Sequence, residues 1–196
     1  SVFMPWFKRL PLWLDLGNVR AIHACWKDEA IALLGDRLLD DPSLLLASAD
    51  PKRSQDPNGL AVELLLKGLE VPLPPPHSFL DASGSKRTDF RVRWWADAEF
   101  GASSGNLVFP ADPDFPDIAL PPSISGGIPG YPADAPPLFI GHYFKGADAP
   151  LLPEATNLAC LDHSAAKDGP LVAYQWQGEA TLKSEHYVVD EPHSKR

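Results

Sequence analysis

Hydrophobic and polar positions alternate in two different rhythms along this chain, and the change of rhythm divides it. Leu12 to Leu16 alternates with the period of a strand, Gly17-Asn18 has the composition of a two-residue hairpin turn, and Val19 to Ala24 returns with Val19, Ala21 and His23 on one face. From Lys27 to Leu39 the spacing of Ile31, Leu34 and Leu38 predicts an amphipathic helix, with Asp28 placed to cap its free amides and Asp36 on its solvated side. Asp41-Pro42 stops that helix and Ser43 to Ala49 predicts another. Asp56-Pro57 has the form of a cap followed by a first helical residue, and Leu60 to Leu69 carries apolar residues at helical spacing. Residues 26–69 are therefore expected as a helical insert between two sheet segments, preceded by a short amphipathic lead-in, Phe3 to Leu10, interrupted by Pro5.

Beyond Val71 the helical period is gone. Prolines extend residues 71–77, where His77 has the setting of an exposed loop residue. Thr88 to Trp95 alternates as a strand, with Arg91, Arg93 and Trp95 on one face and Val92 and Trp94 on the other. Residues 101–137 have no period and are rich in proline, glycine and serine, as a long surface loop or lid would be. Gly101 to Gly105 lacks the Gly-Lys-Ser/Thr ending of a phosphate-cradling loop. Leu138 to Phe144 then gives the clearest buried-strand signal in this half, a short apolar run closed by Gly141 and followed by His142. A meander is expected after it, with strands at Leu158 to Leu161, Leu171 to Trp176 and Ala180 to Val189 and turns at Lys167-Asp168-Gly169 and Gln177-Gly178.

Composition narrows the class. With 196 residues, 44% of them hydrophobic and 22% charged, the chain is expected to build one α/β domain over residues 1–196. A net charge of −9 argues against a nucleic-acid surface, because Lys86-Arg87 with Arg91 and Arg93 is too local to form a basic stripe. No apolar run reaches the length of a membrane span, so no membrane partner is expected. The two cysteines, Cys25 and Cys160, lie in apolar strand contexts, which fits free thiols in a reducing, cytoplasmic setting.

The candidate chemistry sits at strand ends. His23 and His142 each follow a predicted strand, where an imidazole can serve as a metal ligand or as a hydrogen-bonded structural residue. Neither belongs to an HExxH or CxxC spacing. Asp162, His163 and Ser164 do not form a relay, since neighbours in a strand point to opposite faces. Arg91 and Arg93 have two readings, stems packed on tryptophan or a two-pronged guanidinium clamp for phosphate.

Four segments, Ala21 to Trp26, Arg91 to Trp95, Phe139 to Tyr143 and Ala159 to Tyr174, together resemble the C-terminal half of bacterial calcineurin-like metallophosphoesterases, in the branch of the diadenosine tetraphosphatases and phosphoprotein phosphatases. The resemblance implies part of a four-layer α-β-β-α sandwich with a mixed or antiparallel sheet. It implies two divalent metal ions (Mn, Fe, Zn or Co), with His23 and His142 as ligands, Asp162 orienting a liganding imidazole from behind, and Arg91 or Arg93 holding phosphate. The reaction implied is attack of metal-bound hydroxide on a phosphate ester or anhydride, the substrate being a small molecule such as a dinucleoside polyphosphate or a phosphoprotein. The family's earlier motifs, GD-x-H, GD-x-x-DRG and GNHE, do not occur, and Gly35-Asp36-Arg37 only imitates one of them. The expected partner is thus the missing N-terminal half of the same domain, without which these residues would hydrolyse nothing. The alternative is a binding or regulatory domain that keeps the fold and performs no chemistry.

Overall fold

A computed structural model of the chain describes residues 5–6, 10–35, 55–81, 84–97 and 102–190. These group into two compact units, one made of residues 1–67 and 134–196 and the other of residues 68–133 inserted between them. The helix predicted at 43–49 and the solvated position of Asp36 fall outside the described residues, as does most of the lead-in at 3–10.

The first unit is organised by a four-stranded mixed sheet. Strands β1 (Trp13–Asp15) and β2 (Arg20–Ile22) form the predicted hairpin, with Gly17 at φ 81 supplying the left-handed turn residue and the Asp15 carboxylate accepting the Gly17 amide at 2.8 Å. Helix α1 spans Asp28–Leu34 and α2 spans Pro57–Lys67, the two pack together, and Leu34, Val62 and Leu65 on them are fully buried. Asp56 caps α2 as expected, accepting the Asn58 amide at 2.8 Å. Asp28 does not cap α1: Lys27 holds that place without a side-chain bond, because the Asp28 carboxylate is taken by the indole N–H of buried Trp26 at 2.9 Å.

The inserted unit follows, with strands β3 (Glu70–Pro72), β4 (Phe79–Leu80), β5 (Lys86–Arg87) and β6 (Asp89–Arg91). They pair in two antiparallel ribbons, β3 with β6 and β4 with β5. Phe90, Val92 and Trp94 turn inward around Phe115, Leu107 and Val108, a core closed by ring contacts such as Phe90 to Phe115 at 5.2 Å. Residues 101–137 are not wholly irregular: short helical turns α3 (Ser104–Leu107) and α4 (Pro122–Ser125) interrupt them, the first capped by Ser103.

The chain then returns to the first unit with β7 (Leu138–Ile140) and β8 (Leu158–Cys160). The order across the sheet is β1-β2-β7-β8, and β2, β7 and β8 run parallel in register, Ile22 opposite Ile140 and Ile140 opposite Cys160. Leu158, Ala159 and Cys160 are all fully buried, the unbroken apolar pattern of a strand covered on both faces. Strands β9 (Leu171–Tyr174) and β10 (Tyr187–Asp190) form a separate antiparallel ribbon. The strands predicted within 12–24, 88–95, 138–144 and 158–189 do not share one sheet but form a mixed α/β arrangement of smaller ones: β6 pairs inside the inserted unit and β9 pairs with β10 rather than with β8. Among the described residues no helix is long and apolar enough to cross a membrane.

Candidate functional site

Three parallel strands in register bring their carboxyl ends to one line, and the residues just past β2, β7 and β8 are His23, Gly141-His142 and Leu161-Asp162. Ligands of parallel sheets bind at such an edge, where loops leave the strands and the backbone presents side chains outward. The two imidazoles predicted from separate strand ends meet here, with ring centres 5.3 Å apart and planes inclined at 56°.

The backbone explains the meeting. The Gly141 amide donates to the His23 carbonyl at 3.0 Å, extending the β2–β7 ladder one residue past the strands. The chain then reverses in a tight three-residue turn, the Tyr143 amide donating to the Gly141 carbonyl at 2.5 Å. His142, at its centre, has φ 58, a left-handed conformation that a residue with a side chain adopts at a cost in strain. Tyr143 is fully buried and anchors the turn. The role expected of Gly141 moves accordingly: a methyl group there would meet the His23 carbonyl at 3.6 Å and His23 Nδ1 at 3.9 Å, ordinary contacts, so the unusual backbone lies at His142 and not at the glycine.

Asp162 acts on His23 through its charge. Its Oδ1 accepts the Ser164 amide at 3.0 Å, its carbonyl accepts the Lys145 amide at 2.8 Å, and the Ser164 hydroxyl donates to the Lys145 carbonyl at 2.8 Å. These bonds tie the loop after β7 to the loop after β8. His23 keeps an exposed edge, yet partial burial lowers its pKa while the Asp162 carboxylate opposes the shift. Its ring is thereby biased toward the neutral form, the form that ligates metal.

Two imidazoles that bind one ion at about 2.1 Å each hold their ring centres roughly 5 Å apart, so the spacing of His23 and His142 fits a shared divalent ion. A full ligand set is not present: among the described residues no three His, Cys, Asp or Glu side chains are grouped to hold a metal. Among the described residues, the second ion implied by the resemblance finds no grouped donors.

Arg91 and Arg93 belong to the inserted unit, whereas His23, His142 and Asp162 belong to the first. The Phe109 amide donates to the Arg91 carbonyl at 2.9 Å and the Arg93 amide to the Leu107 carbonyl at 2.7 Å, while an Arg93 guanidinium nitrogen donates to the Asn106 carbonyl. Arg93 thus fastens the 104–108 turn to its neighbouring strand.

One polar constellation escaped the sequence reading. Glu179 Oε1 receives the Tyr174 hydroxyl at 2.7 Å and lies 2.7 Å from His186 Nδ1, while Oε2 accepts the Gln177 amide at 2.8 Å. Burial alone would raise the Glu179 carboxyl, but hydrogen bonds led by Tyr174 outweigh it and bring the pKa down to about 2. Burial pushes the Tyr174 phenol the other way, to about 12. The cluster closes the connection between β9 and β10, and only the neighbouring Gln177-Gly178 turn gave a local signal of it. Cys160 is a buried thiol donating to the Tyr143 carbonyl at 3.0 Å, its pKa pushed by burial up to about 12, as expected of an inert structural cysteine. No protein-family model, curated protein or solved structure matches this chain.

Proposed function

We propose that the edge formed by His23, His142 and Asp162 is part of a metal-dependent phosphoesterase site, acting on phosphate esters or anhydrides of the dinucleoside polyphosphate or phosphoprotein type. The observation that carries this is the convergence of His23 and His142 at the carboxyl ends of adjacent parallel strands, with a strained backbone at His142. A divalent metal bound there supplies a Lewis acid for phosphoryl oxygen and a route to an activated water. His23 and His142 hold two of its positions as neutral imidazoles. Asp162 favours the correct orientation and basicity of His23 through its charge, and the Lys145–Ser164 bonds keep Asp162 in place. The remaining ligands and the acid that protonates the leaving group come from protein outside the described residues.

Titration of the chain with Co(II), followed by its visible absorption and by calorimetry, tests the site directly. One ion per chain is expected in the wild type, with weak affinity, and His23→Ala and His142→Ala should each abolish it. Binding that survives both substitutions refutes the site. The second reading, a domain that binds without chemistry, is favoured by the absence of a third grouped donor among the described residues. It predicts no hydrolysis of p-nitrophenyl phosphate under excess Mn even when the chain is joined to the N-terminal half that the resemblance implies, whereas the phosphoesterase reading predicts turnover there.

A further inference from the structure

His163 adjoins Asp162 in sequence, but its side chain turns into the interior and is 1% exposed. Both Nδ1 and Nε2 are enclosed, and neither reaches a hydrogen-bond partner in the protein. A neutral imidazole carries one N–H to donate and one bare nitrogen to accept, and folded proteins rarely leave both unmet. The surroundings are polar. Lys145 Nζ holds Glu154 Oε1 at 2.8 Å and the Leu152 carbonyl at 3.3 Å, with both side chains largely buried. The charges of Lys145 and Glu154 both act on His163. A second enclosed group is in the same position: the Tyr187 hydroxyl makes no hydrogen bond, and it too lies in the field of Glu154. The loop above is shut against the backbone, since a side chain at Gly169 would come within 2.0 Å of the His163 carbonyl.

We propose that His163 anchors an enclosed water site, in which one ordered water accepts from the protonated imidazole nitrogen and another donates to the bare one. Water is the ligand the lining selects. Lys145 is paired with Glu154 and the Asp162 carboxylate, which also acts on His163, accepts the Ser164 amide, so no unpaired positive charge draws an anion, and among the described residues no three metal-ligating side chains are grouped to hold a cation. Groups with donors and acceptors on several sides are what a buried water requires. The site would join the crossover at 141–157 to the end of β8 through solvent, independently of any metal at His23 and His142.

The test uses the full chain with isotope-labelled histidine. Cross-relaxation between the His163 ring protons and water, a single neutral tautomer, and an oxygen-17 relaxation dispersion that loses a long-lived component in His163→Leu are the expected results. Absence of that cross-relaxation in the wild type overturns the proposal, as does an unchanged dispersion in a folded His163→Leu. Should that variant fail to fold, the wild-type cross-relaxation alone decides.

Discussion

At the scale of single residues the fold places its strain where the proposed chemistry is. His142 is one of three described non-glycine residues with positive φ, and all three, with Ser164 and Asp168, lie in the loops after β7 and β8. Glycine accepts such a backbone freely, so His142→Gly should leave the protein as stable as the wild type or more stable by about 1 kcal/mol, while removing Co(II) binding. Chemical denaturation and metal titration of the same preparation check both halves, and a marked loss of stability would make His142 a structural residue. His163 should separate from it. Burial, reinforced by Lys145, lowers the His163 pKa in the folded chain, so the unfolded chain takes up its proton first as pH falls. Stability should therefore decline below the ordinary histidine range, from about pH 6.5 downward, and part of that decline should vanish in His163→Leu. Unfolding curves at successive pH values, wild type against variant, measure it; parallel pH profiles for the two proteins would count against the assignment.

At the scale of elements, two glycines give opposite expectations. Gly169→Ala drives a methyl group into the His163 carbonyl and should cost more than about 2 kcal/mol, whereas Gly141→Ala meets only ordinary contacts and should stay within about 1 kcal/mol. Thermal melts of the pair settle this, and equal costs would mean the 164–169 loop moves aside. The β9–β10 connection offers a pH test of a different sign. Glu179 sits at about 2 when folded against an ordinary 4.5, so its contribution is complete above 4.5 and lost as pH drops toward 2; Glu179→Gln should flatten that acid limb. These elements also show where sequence patterning succeeds. The β1–β2 hairpin, the α2 cap and the strand at Leu138 rest on local rules, and each formed close to its predicted place. What was not legible was pairing over distance. Nothing in Thr88 to Trp95 says that β6 will bond to β3 rather than to β7, and nothing near Glu179 announces that its carboxylate will meet both Tyr174 and His186. Asp28 failed as a cap for the same reason, since a buried indole two residues away competed for its carboxylate.

At the scale of the whole molecule, each of the two units has its own fully buried residues, Leu138 and Leu158 in one and Val92 and Trp94 in the other. Leu138→Ala, expected to cost about 2–5 kcal/mol, should lower the transition seen by far-ultraviolet dichroism in the first unit and leave the near-ultraviolet signal of the Trp94–Trp95 contact in place; simultaneous loss of both signals would mean the units unfold as one. The parallel pairing of β2 with β7 has a further consequence for how the protein is made. A hairpin can close as soon as it leaves the ribosome, but β2 must wait until all of residues 23–137 have been synthesised before its neighbour exists. Until then its inner edge is an unpaired template beside a lone imidazole, open to other nascent chains and to stray metal. For this chain the interval between translating His23 and translating His142 is the period of greatest exposure, and a slower ribosome lengthens it.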